Sequence, residues 1–456
     1  MYVRSLSIHN LRSFESVELS LRYPGEPPPA TGGSVPRLDN VTLLLGSNGS
    51  GKTSVLRAVA LSTLSPVLAS GSGYVPYALV RRVQGYKPAR GHVRAQVILH
   101  EEDGFAEERE YELGPILSST KGFTDRFSAI DDAPWIDRLY EEDSPSFFVV
   151  GYGATRRVEM GPQGLESRSK ERVLRYRRVA GLFEEHVTLM PLSAWLPSLR
   201  GKNPSRYREV VALMNNLLPD TEMLEEVDEN EHPECLFRRG GAVLPYPALS
   251  DGYRAFISWV GDLLYHLHLG SPRGQKLVDQ RGIVLVDEVD LHLHPEWQRH
   301  LVPTLSRVLP KLQFIFTSHS PLVVGTLSSW NVLLLEERTR KDGTRATEVL
   351  TPGEELYGLS ADQILTSESF GLESTRDERF FERLKDVAIQ AREGGAEEAL
   401  RFMRMVAAGG AAERTEPDDP SPPGKKGKTP RKPASRKTQK RVAAPKRGAP
   451  RRRRQE

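Results

Sequence analysis

Short apolar runs recur along the chain, and stretches with apolar residues at helical spacing separate several of them. Three largely apolar runs, Val41–Leu45, Ile283–Val286 and Leu312–Phe316, have the length and composition of strands that are buried on both faces. Helices are predicted from Lys52 through Leu61 and after Gly252 through Leu264, because apolar residues recur there every three or four positions. This alternation predicts an α/β fold with a mostly parallel central sheet.

Four other regions depart from this pattern. Residues 1–23 show a rough alternation of apolar and polar positions, which predicts antiparallel N-terminal strands. Residues 159–239 are charged, with apolar residues at roughly helical spacing, and predict a helical insertion. Residues 374–408 predict one or two terminal helices. Residues 413–456 contain almost no apolar side chains, so they cannot offset their conformational entropy by burial, and we predict that they are disordered.

The charge of the chain is divided between an acidic body and a basic tail. The net charge is only +3, from 63 basic and 60 acidic residues. Fifteen of the basic residues lie between Lys425 and Arg454, and Glu456 is the one acid in residues 424–456, so the tail carries +14. The remaining 48 basic and 59 acidic residues give residues 1–423 a net charge of −11. Two interpretations of the tail stay open: a nucleic-acid-binding segment, or a solubilising or partner-binding segment.

Composition disfavours a membrane-spanning or a disulfide-rich secreted protein. No uninterrupted apolar stretch of about 18 residues is present, so no membrane span is predicted. The segment Met1–Asn10 lacks a basic region followed by an apolar run, and therefore predicts no secretory signal. Cys235 is the only cysteine, which excludes an internal disulfide. A cytosolic location is expected.

The most specific motif follows the first buried strand and opens the first predicted helix. It fits the pattern G-x-x-x-x-G-K-[ST], whose glycines let backbone N–H groups surround a phosphate at a positive helix end. Lys52 can reach the β- and γ-phosphates, and the Thr53 hydroxyl can bind Mg²⁺. A chance glycine-rich turn is the alternative, and the strand and helix on either side argue against it. We therefore predict ATP and Mg²⁺ as cofactors, with nucleotide-binding residues Gly46, Ser47, Asn48, Gly49, Ser50, Gly51, Lys52, Thr53 and Ser54.

Two acidic residues end the run Ile283–Val286, where ligands bind in open α/β sheets. Asp287 can hold Mg²⁺, and Glu288 can accept a proton from an attacking water molecule. Two acids at a strand end are by themselves common and solvated, but the phosphate loop favours the catalytic interpretation. The predicted metal residues are thus Thr53 and Asp287.

A histidine follows the third buried run. If that strand lies beside the other two, His319 can contact the γ-phosphate; otherwise it is an ordinary packed residue. The predicted catalytic residues are Lys52, Glu288 and His319. His292 and His294 lie two positions apart with no cysteine nearby, which is too little to predict a zinc site.

These motifs occur in an order that resembles the ABC-type ATPases. The segment Leu249-Ser250-Asp251-Gly252 is similar to that superfamily's LSGG signature, although Asp251 replaces a glycine. His319 falls at the position of the superfamily's switch histidine. The resemblance implies that two copies of the chain enclose ATP, with Ser250 and Gly252 of one copy capping the nucleotide on the phosphate loop of the other. It therefore implies a homodimer or a higher homo-oligomer.

The first strands narrow the resemblance to one branch. Ile8–Phe14, read as IHNLRSF, resembles the start of RecF, of structural-maintenance-of-chromosomes (SMC) heads and of OLD-type ATPases. In that branch the arginine matching Arg12 lies near the nucleotide phosphates. Val286–Trp297 and Thr317–Pro321 resemble AAA_15/AAA_21-style AAA family ATPases, which occur in antiphage systems such as Septu, paired with a nuclease. His294 falls where many relatives carry an aspartate, and Arg156 falls near the place of their usual glutamine.

The resemblance implies an ABC-ATPase head with antiparallel N-terminal strands, a helical insertion and a disordered basic tail. The expected parts are an N-terminal lobe with the phosphate loop (1–158), the insertion (159–239), a C-terminal lobe with the signature (240–372), terminal helices (373–412) and the tail (413–456). The expected function is ATP binding and hydrolysis as the regulatory ATPase of an antiphage system, controlling a separate nuclease. A RecF-like DNA repair ATPase and the nucleotide-binding subunit of a transporter are the alternatives.

Overall fold

The computed structural model describes residues 1–26, 37–70, 72–82, 89–103, 105, 108–131, 140, 148–156, 174–185, 187–228, 234–272, 274–340 and 343–408. The chain divides into two compact units, Met1–Asp377 and Glu378–Glu456. The basic tail, whose disorder is a prediction, lies outside the described residues. No described helix has the length and hydrophobicity needed to cross a lipid bilayer.

The first unit contains fifteen described strands. They are β1 Tyr2–Leu11, β2 Phe14–Ser20, β3 Val41–Gly46, β4 Arg90–Leu99, β5 Arg109–Leu113, β6 Ile116–Ser119, β7 Asp125–Ala129, β8 Val149–Tyr152, β9 Glu222–Asp228, β10 Glu234–Arg239, β11 Ala242–Pro245, β12 Gly282–Val286, β13 Leu312–Thr317, β14 Val332–Thr339 and β15 Arg345–Leu350.

The described α-helices of the first unit follow or connect these strands. They are α1 Lys52–Ala69, α2 Leu174–Phe183, α3 Leu192–Lys202, α4 Pro204–Leu217, α5 Asp251–Gly270, α6 Pro295–Val308, α7 Pro321–Val324 and α8 Ala361–Thr366. In the second unit, α9 Glu378–Glu393 packs against α10 Ala396–Ala408.

The central sheet has the strand order β15-β14-β3-β13-β12-β8. Neighbouring strands from β14 to β8 are parallel, and β15 is antiparallel to β14. Strands β12 and β13 are buried along their whole length, as their apolar composition predicts. The predicted α/β class with a mostly parallel central sheet is confirmed.

A second sheet is formed by the N-terminal strands, and a buried side chain of β13 is hydrogen-bonded to it. Strand β1 pairs antiparallel with β2 and β4, so the predicted antiparallel N-terminal strands are confirmed. Gln313 of β13 is fully buried; its Oε1 accepts a hydrogen bond from Val3 N at 2.8 Å, and its Nε2 donates to Val3 O at 2.6 Å. An internal strand of the central sheet is thereby tied to β1 of the second sheet.

The apolar core lies on both faces of the central sheet. Leu43 and Leu45 of β3 point into one hydrophobic cluster, whereas Leu44 points into the other, as the alternation of a strand requires. The first cluster includes residues of α3 to α6, and the second includes α1 and the N-terminal strands. The central sheet is therefore covered on both faces.

Two details differ from the patterns along the sequence. The apolar run Phe147–Val150 predicts a strand; Phe147 lies outside the described residues, and β8 runs from Val149 to Tyr152, because Tyr152 pairs with Val286 of β12. The described residues of the segment 159–239 form strands β9 and β10 as well as three helices, and α2 packs on β8 and α1. The expected domain boundaries stay a prediction.

Candidate nucleotide-binding site

The strand order brings three predicted motifs to one edge of the central sheet. Strand β13 lies between β3 and β12, and all three are parallel. Because the carboxyl ends of parallel strands share one edge, the phosphate loop, the Asp287–Glu288 pair and His319 all emerge there. The expectation that the strand before His319 lies beside the other two is confirmed.

The backbone of the phosphate loop needs glycine at two positions. Gly46 has a φ of +155°, and a Cβ atom there would lie 2.4 Å from the carbonyl oxygen of Leu335. Gly51 has a φ of +103°, and a Cβ atom there would lie 2.5 Å from Ser13 Oγ. Helix α1 begins directly after Gly51 with no side-chain cap and no acid in its first turn. Its first N–H groups therefore remain available for an anion.

The amino group of Lys52 is held over this loop. Its Nζ donates hydrogen bonds to the carbonyl oxygens of Gly46 at 2.8 Å and Ser47 at 2.9 Å. The residue is only 7% exposed. Burial lowers the pKa of Lys52, while the carboxylates of Asp287 and Glu288 act in the opposite direction. A partly desolvated amino group with two nearby carboxylates is well suited to bind a phosphate that carries a metal ion.

A chain of hydrogen bonds connects α1, β12 and β13 at the edge of the sheet. Thr53 Oγ1 donates to Asp287 Oδ2 at 2.7 Å, although 234 positions separate the two residues. Thr317 Oγ1 donates to Asp287 Oδ1 at 2.6 Å, and it accepts a hydrogen bond from Glu288 N at 2.7 Å. Both carboxylate oxygens of Asp287 are thus oriented by threonine hydroxyls.

The donor set formed by Thr53 and Asp287 fits Mg²⁺. Magnesium prefers oxygen ligands, is held by few protein groups and keeps several water molecules in its coordination shell. Within the described part of the chain, no cluster of three or more His, Cys, Asp or Glu side chains could form a metal site of another kind. The hydroxyl and carboxylate oxygens of this pair are therefore the groups that could hold the ion.

Arg156 lies behind the acidic pair and fixes its backbone. Its Nη1 donates to the carbonyl oxygen of Asp287 at 3.1 Å, and its Nη2 donates to that of Glu288 at 2.7 Å. Burial lowers the pKa of Arg156 to about 10, against the opposing effect of Asp287, Asp290 and Glu288. Glu288 has a φ of +49°, a conformation that is uncommon for a residue with a side chain. The guanidinium group therefore supports a strained turn at the end of β12.

His319 follows β13 and is partly buried. Its pKa is lowered by burial and then by the positive charge of Lys52, while Asp290, Glu288 and Asp287 act in the opposite direction. A lowered pKa favours the neutral imidazole, which has one N–H donor and one acceptor nitrogen.

Arg12 occupies the turn between β1 and β2, with a φ of +47°. Its pKa is lowered by burial and by the neighbouring Arg57 of α1. Arg57 donates through Nε to the carbonyl oxygen of Leu182 at 2.5 Å, which anchors it. Two partly buried guanidinium groups thus lie close together beside the second turn of α1, a position that suits an anion.

Ser250 and Gly252 lie at the N-terminus of α5 rather than at the phosphate loop. Ser250 caps the helix without a side-chain hydrogen bond, and a Cβ atom on Gly252 would lie 3.4 Å from the carbonyl oxygen of His292. Among the described residues, no hydrogen bond joins either of them to residues 46–53 of the same chain. Asp251, which replaces the expected glycine, is exposed and forms an ion pair with Arg254.

A family model described as "AAA domain, putative AbiEii toxin, Type IV TA system", named AAA_21, matches residues 41–325, more than half of the chain. The chain belongs to the AAA_21 family. A second model, AAA_23, described as "AAA domain", matches residues 5–72. The AAA_21 match extends from the phosphate loop through the signature to His319, so the resemblance read from these motifs is confirmed.

The relatives of this AAA_21 protein include two named proteins. The "Septu protein PtuA" of Bacillus mycoides (strain KBAB4) is 24% identical over 375 residues, which are 82% of this chain and 45% of that one. The "Retron Ec83 probable ATPase" of Escherichia coli is 33% identical over 156 residues, 34% of this chain and 28% of that one. The chain spans less than half the length of each of these relatives.

Solved structures that are similar to the chain include two heads of SMC proteins. The SmcHead bound to the C-winged helix domain of ScpA has a TM-score of 0.45 and 16% identity, and covers 77% of this chain and 98% of that one. The SMC head domain from Thermotoga maritima has a TM-score of 0.39 and 15% identity, with coverages of 77% and 99%. Because both TM-scores are low, the family membership rests on the sequence match alone.

Three residues of the AAA_21 site make contacts that the motifs do not predict. Thr317 orients Asp287, Arg156 holds the backbone of the acidic pair, and Arg57 lies beside Arg12. Thr317 could have been found from its position at the end of the strand before His319. The sequence places Arg156 only near the position of the relatives' usual glutamine and does not mark Arg57, since the partners of both are distant in sequence.

Proposed function

We propose that this chain binds Mg²⁺-ATP at the edge of the central sheet and hydrolyses it. The observation that carries the proposal is the hydrogen-bonded chain from Thr53 through Asp287 to Thr317, because it joins the phosphate loop to the acidic pair. When bound, Mg²⁺ would neutralise charge on the β- and γ-phosphates, with Thr53 and Asp287 as its protein ligands.

The remaining groups have separate roles in this proposal. The phosphates lie against the N–H groups of residues 46–54 and against Lys52, with Arg12 nearby. Glu288 orients the attacking water and accepts its proton, and Arg156 keeps its backbone in position. A neutral His319 donates a hydrogen bond to the γ-phosphate. Preorganised donors of this kind stabilise the charge of phosphoryl transfer.

Hydrolysis requires two copies of the chain. Ser250 and Gly252 lie at a helix N-terminus that suits an anion, yet within one chain neither makes a hydrogen bond to the described phosphate loop. In a closed dimer the two residues of one copy cap the nucleotide of the other. The transferring phosphoryl group is fully surrounded only in that closed pair, so turnover depends on dimerisation.

The biological role that we infer is regulation of a separate nuclease in a bacterial antiphage system, in the cytoplasm. The relatives named Septu protein PtuA and retron ATPase support this assignment. The nuclease is expected as a separate protein. We also expect that the basic tail contacts nucleic acid.

The decisive experiment measures ATP hydrolysis and oligomeric state in Glu288→Gln. Loss of the carboxylate should slow turnover about 10²- to 10⁴-fold, while ATP affinity is kept, and should accumulate an ATP-bound dimer. Glu296→Gln in the first turn of α6 is a matched control, because Glu296 is exposed and makes no described contact with the phosphate loop. Normal turnover in Glu288→Gln, or a specific rate that does not change with protein concentration in a strictly monomeric wild type, would contradict the proposal.

A further inference from the structure

A basic cleft lies beside the β1–β2 turn, in a body whose overall charge is negative. We call it the arginine cleft. It has a volume of about 410 Å³ and is lined by Arg12, Ala78, Val80, Arg81, Arg82, Phe123, Thr344 and Arg345. Half of these lining residues are arginines, and none is acidic. Residues 1–423 carry 59 acidic and 48 basic side chains, so this concentration of positive charge is local.

Two of the arginines are fixed in place by hydrogen bonds. Arg81 donates to the carbonyl oxygens of Ser13 at 3.0 Å and of Arg345. Among the described residues, no carboxylate pairs with Arg81. Arg82 is anchored by Asp125, with 2.5 Å between Nη2 and Oδ1. The positions of both guanidinium groups are therefore set before any ligand binds, which reduces the entropy lost on binding.

The third arginine is free to exchange its partner. Arg345 is 69% exposed, and its ion pair with Glu337 spans 3.4 Å at the surface. Exposed ion pairs of this kind contribute little to stability and are screened by salt. A phosphate group can therefore replace Glu337 as the partner of Arg345.

Strained backbone occurs on both sides of the arginine cleft. Arg12 and Ala78 have φ values of +47° and +48°, in the left-handed region that residues with side chains rarely adopt. Ala78 is held there by the hydrogen bond from its N–H to the carbonyl oxygen of Phe123 at 2.7 Å. Such strain is often found where a ligand binds.

Phe123, which lines the cleft, and the neighbouring Tyr77 are two exposed aromatic residues that we call the aromatic rim. Tyr77 is 64% exposed and Phe123 is 61% exposed, and their ring centroids lie 6.1 Å apart. The guanidinium group of Arg82 lies over the Phe123 ring, 5.6 Å from its centroid. Large aromatic side chains with this exposure are available for stacking against a flat ligand.

We propose that the arginine cleft binds a single strand of nucleic acid. Its phosphates contact Arg81 and Arg345, and its bases stack on Phe123 and Tyr77. The combination of a basic groove with exposed aromatic rings is what a single strand requires, since its base faces are accessible. A duplex keeps its base faces stacked internally and cannot use the aromatic rim.

The first test measures binding of a fluorescein-labelled thymidine oligonucleotide to the full chain over a series of salt concentrations. Phe123→Ala should weaken binding about 10-fold without changing the salt slope, because it removes stacking. Arg345→Gln should make the slope of log K against log salt shallower by about 0.7, because it removes one phosphate contact to a single strand. Arg208→Gln on α4 removes an exposed arginine outside the cleft and should leave both quantities unchanged.

The position of the binding site on the chain is tested by cross-linking to an oligonucleotide that contains 5-iodouridine. The adducts are then mapped by mass spectrometry. Adducts on Tyr77 or Phe123 are expected. Adducts confined to residues 425–454, or equal binding by wild type, Phe123→Ala and Arg345→Gln, would overturn the proposal in favour of the basic tail. Phe123→Ala that weakens Mg²⁺-ATP binding but not oligonucleotide binding would overturn it in favour of the nucleotide base. Failure of ATP hydrolysis in Glu288→Gln affects none of these outcomes.

Discussion

Thr53 and Asp287 share a 2.7 Å hydrogen bond across the edge of the central sheet, between the first turn of α1 and the end of β12. Thr53→Ala should raise the Mg²⁺ concentration needed for hydrolysis and lower the rate about 10- to 100-fold, because one ligand is lost and Asp287 loses an orienting partner. The measurement is a Mg²⁺ titration of ATPase activity. Thr53→Ser keeps the hydroxyl and should behave as wild type. If the ATPase activity of wild type, Thr53→Ala and Thr53→Ser depends on Mg²⁺ concentration in the same way, Thr53 is not a ligand of the metal ion.

Thr317 offers a test of the orienting role of a hydroxyl that should not contact the nucleotide. Thr317→Val keeps the shape but leaves Asp287 Oδ1 and Glu288 N without their partner, which should destabilise the fold by about 1–3 kcal/mol. The rate of hydrolysis should fall with little change in ATP affinity. Urea unfolding and steady-state kinetics measure the two effects, and Thr317→Ser is the control. If Thr317→Val is less stable than wild type but hydrolyses ATP at the same rate, Thr317 has a structural role only.

Arg156 is expected to act through the backbone of Glu288. Arg156→Lys keeps the charge but cannot donate to both carbonyl groups with the same fork geometry, so the rate should fall about 10-fold or more while the KM for ATP changes little. Arg156→Ala should lose more activity, and added guanidinium ion at non-denaturing concentration should restore part of it. A rise in KM at unchanged kcat would instead indicate that Arg156 binds substrate.

Local motifs are enough to predict a phosphate loop, because its glycines, Lys52 and Thr53 lie within eight consecutive residues. The meeting of β3, β12 and β13 at one edge could also be predicted, since parallel buried strands leave few arrangements. The roles of Thr317 and Arg156 could not, because they depend on which backbone atoms lie opposite them after folding. Arg156 reaches carbonyl groups more than 130 positions away. The extension of β8 to Tyr152 similarly depends on its pairing with Val286.

Substitutions at Gly252 should distinguish nucleotide binding by one chain from closure of the dimer. Its backbone has an ordinary conformation, and an added Cβ would meet only the carbonyl oxygen of His292 at 3.4 Å, so Gly252→Ala should fold normally. Gly252→Asp adds a negative charge at the surface that we expect to face the γ-phosphate of a second copy. ATP binding to one chain should persist, whereas the ATP-dependent dimer and hydrolysis should be lost. Closure is measured by light scattering in the presence of ATP, with Gly252→Asp combined with Glu288→Gln and compared with Glu288→Gln alone. If the double variant forms as much dimer as Glu288→Gln alone, the surface around Gly252 is not part of the dimer interface.

His266 makes the stability of the fold depend on pH. It lies on α5 with Nε2 3.4 Å from Asp262 Oδ2, and its Nδ1 has no hydrogen-bond partner among the described residues. Burial lowers its pKa, although Asp262 opposes this effect. The unfolded chain, with a histidine pKa of about 6.5, therefore binds a proton more readily than the folded chain does.

Well above about pH 6.5, a change in pH should not alter the contribution of His266 to the free energy of unfolding. As the pH falls through and below that value, protonation of His266 in the unfolded chain should lower the free energy of unfolding. The measurement is the urea midpoint at several pH values between about 7.5 and 5.5. His266→Gln should show a smaller loss on acidification than wild type, whatever its stability at neutral pH. His300→Gln, at an exposed position on α6, is the matched control and should retain the wild-type dependence. A His266→Gln protein that loses as much stability on acidification as wild type would show that other groups account for the effect.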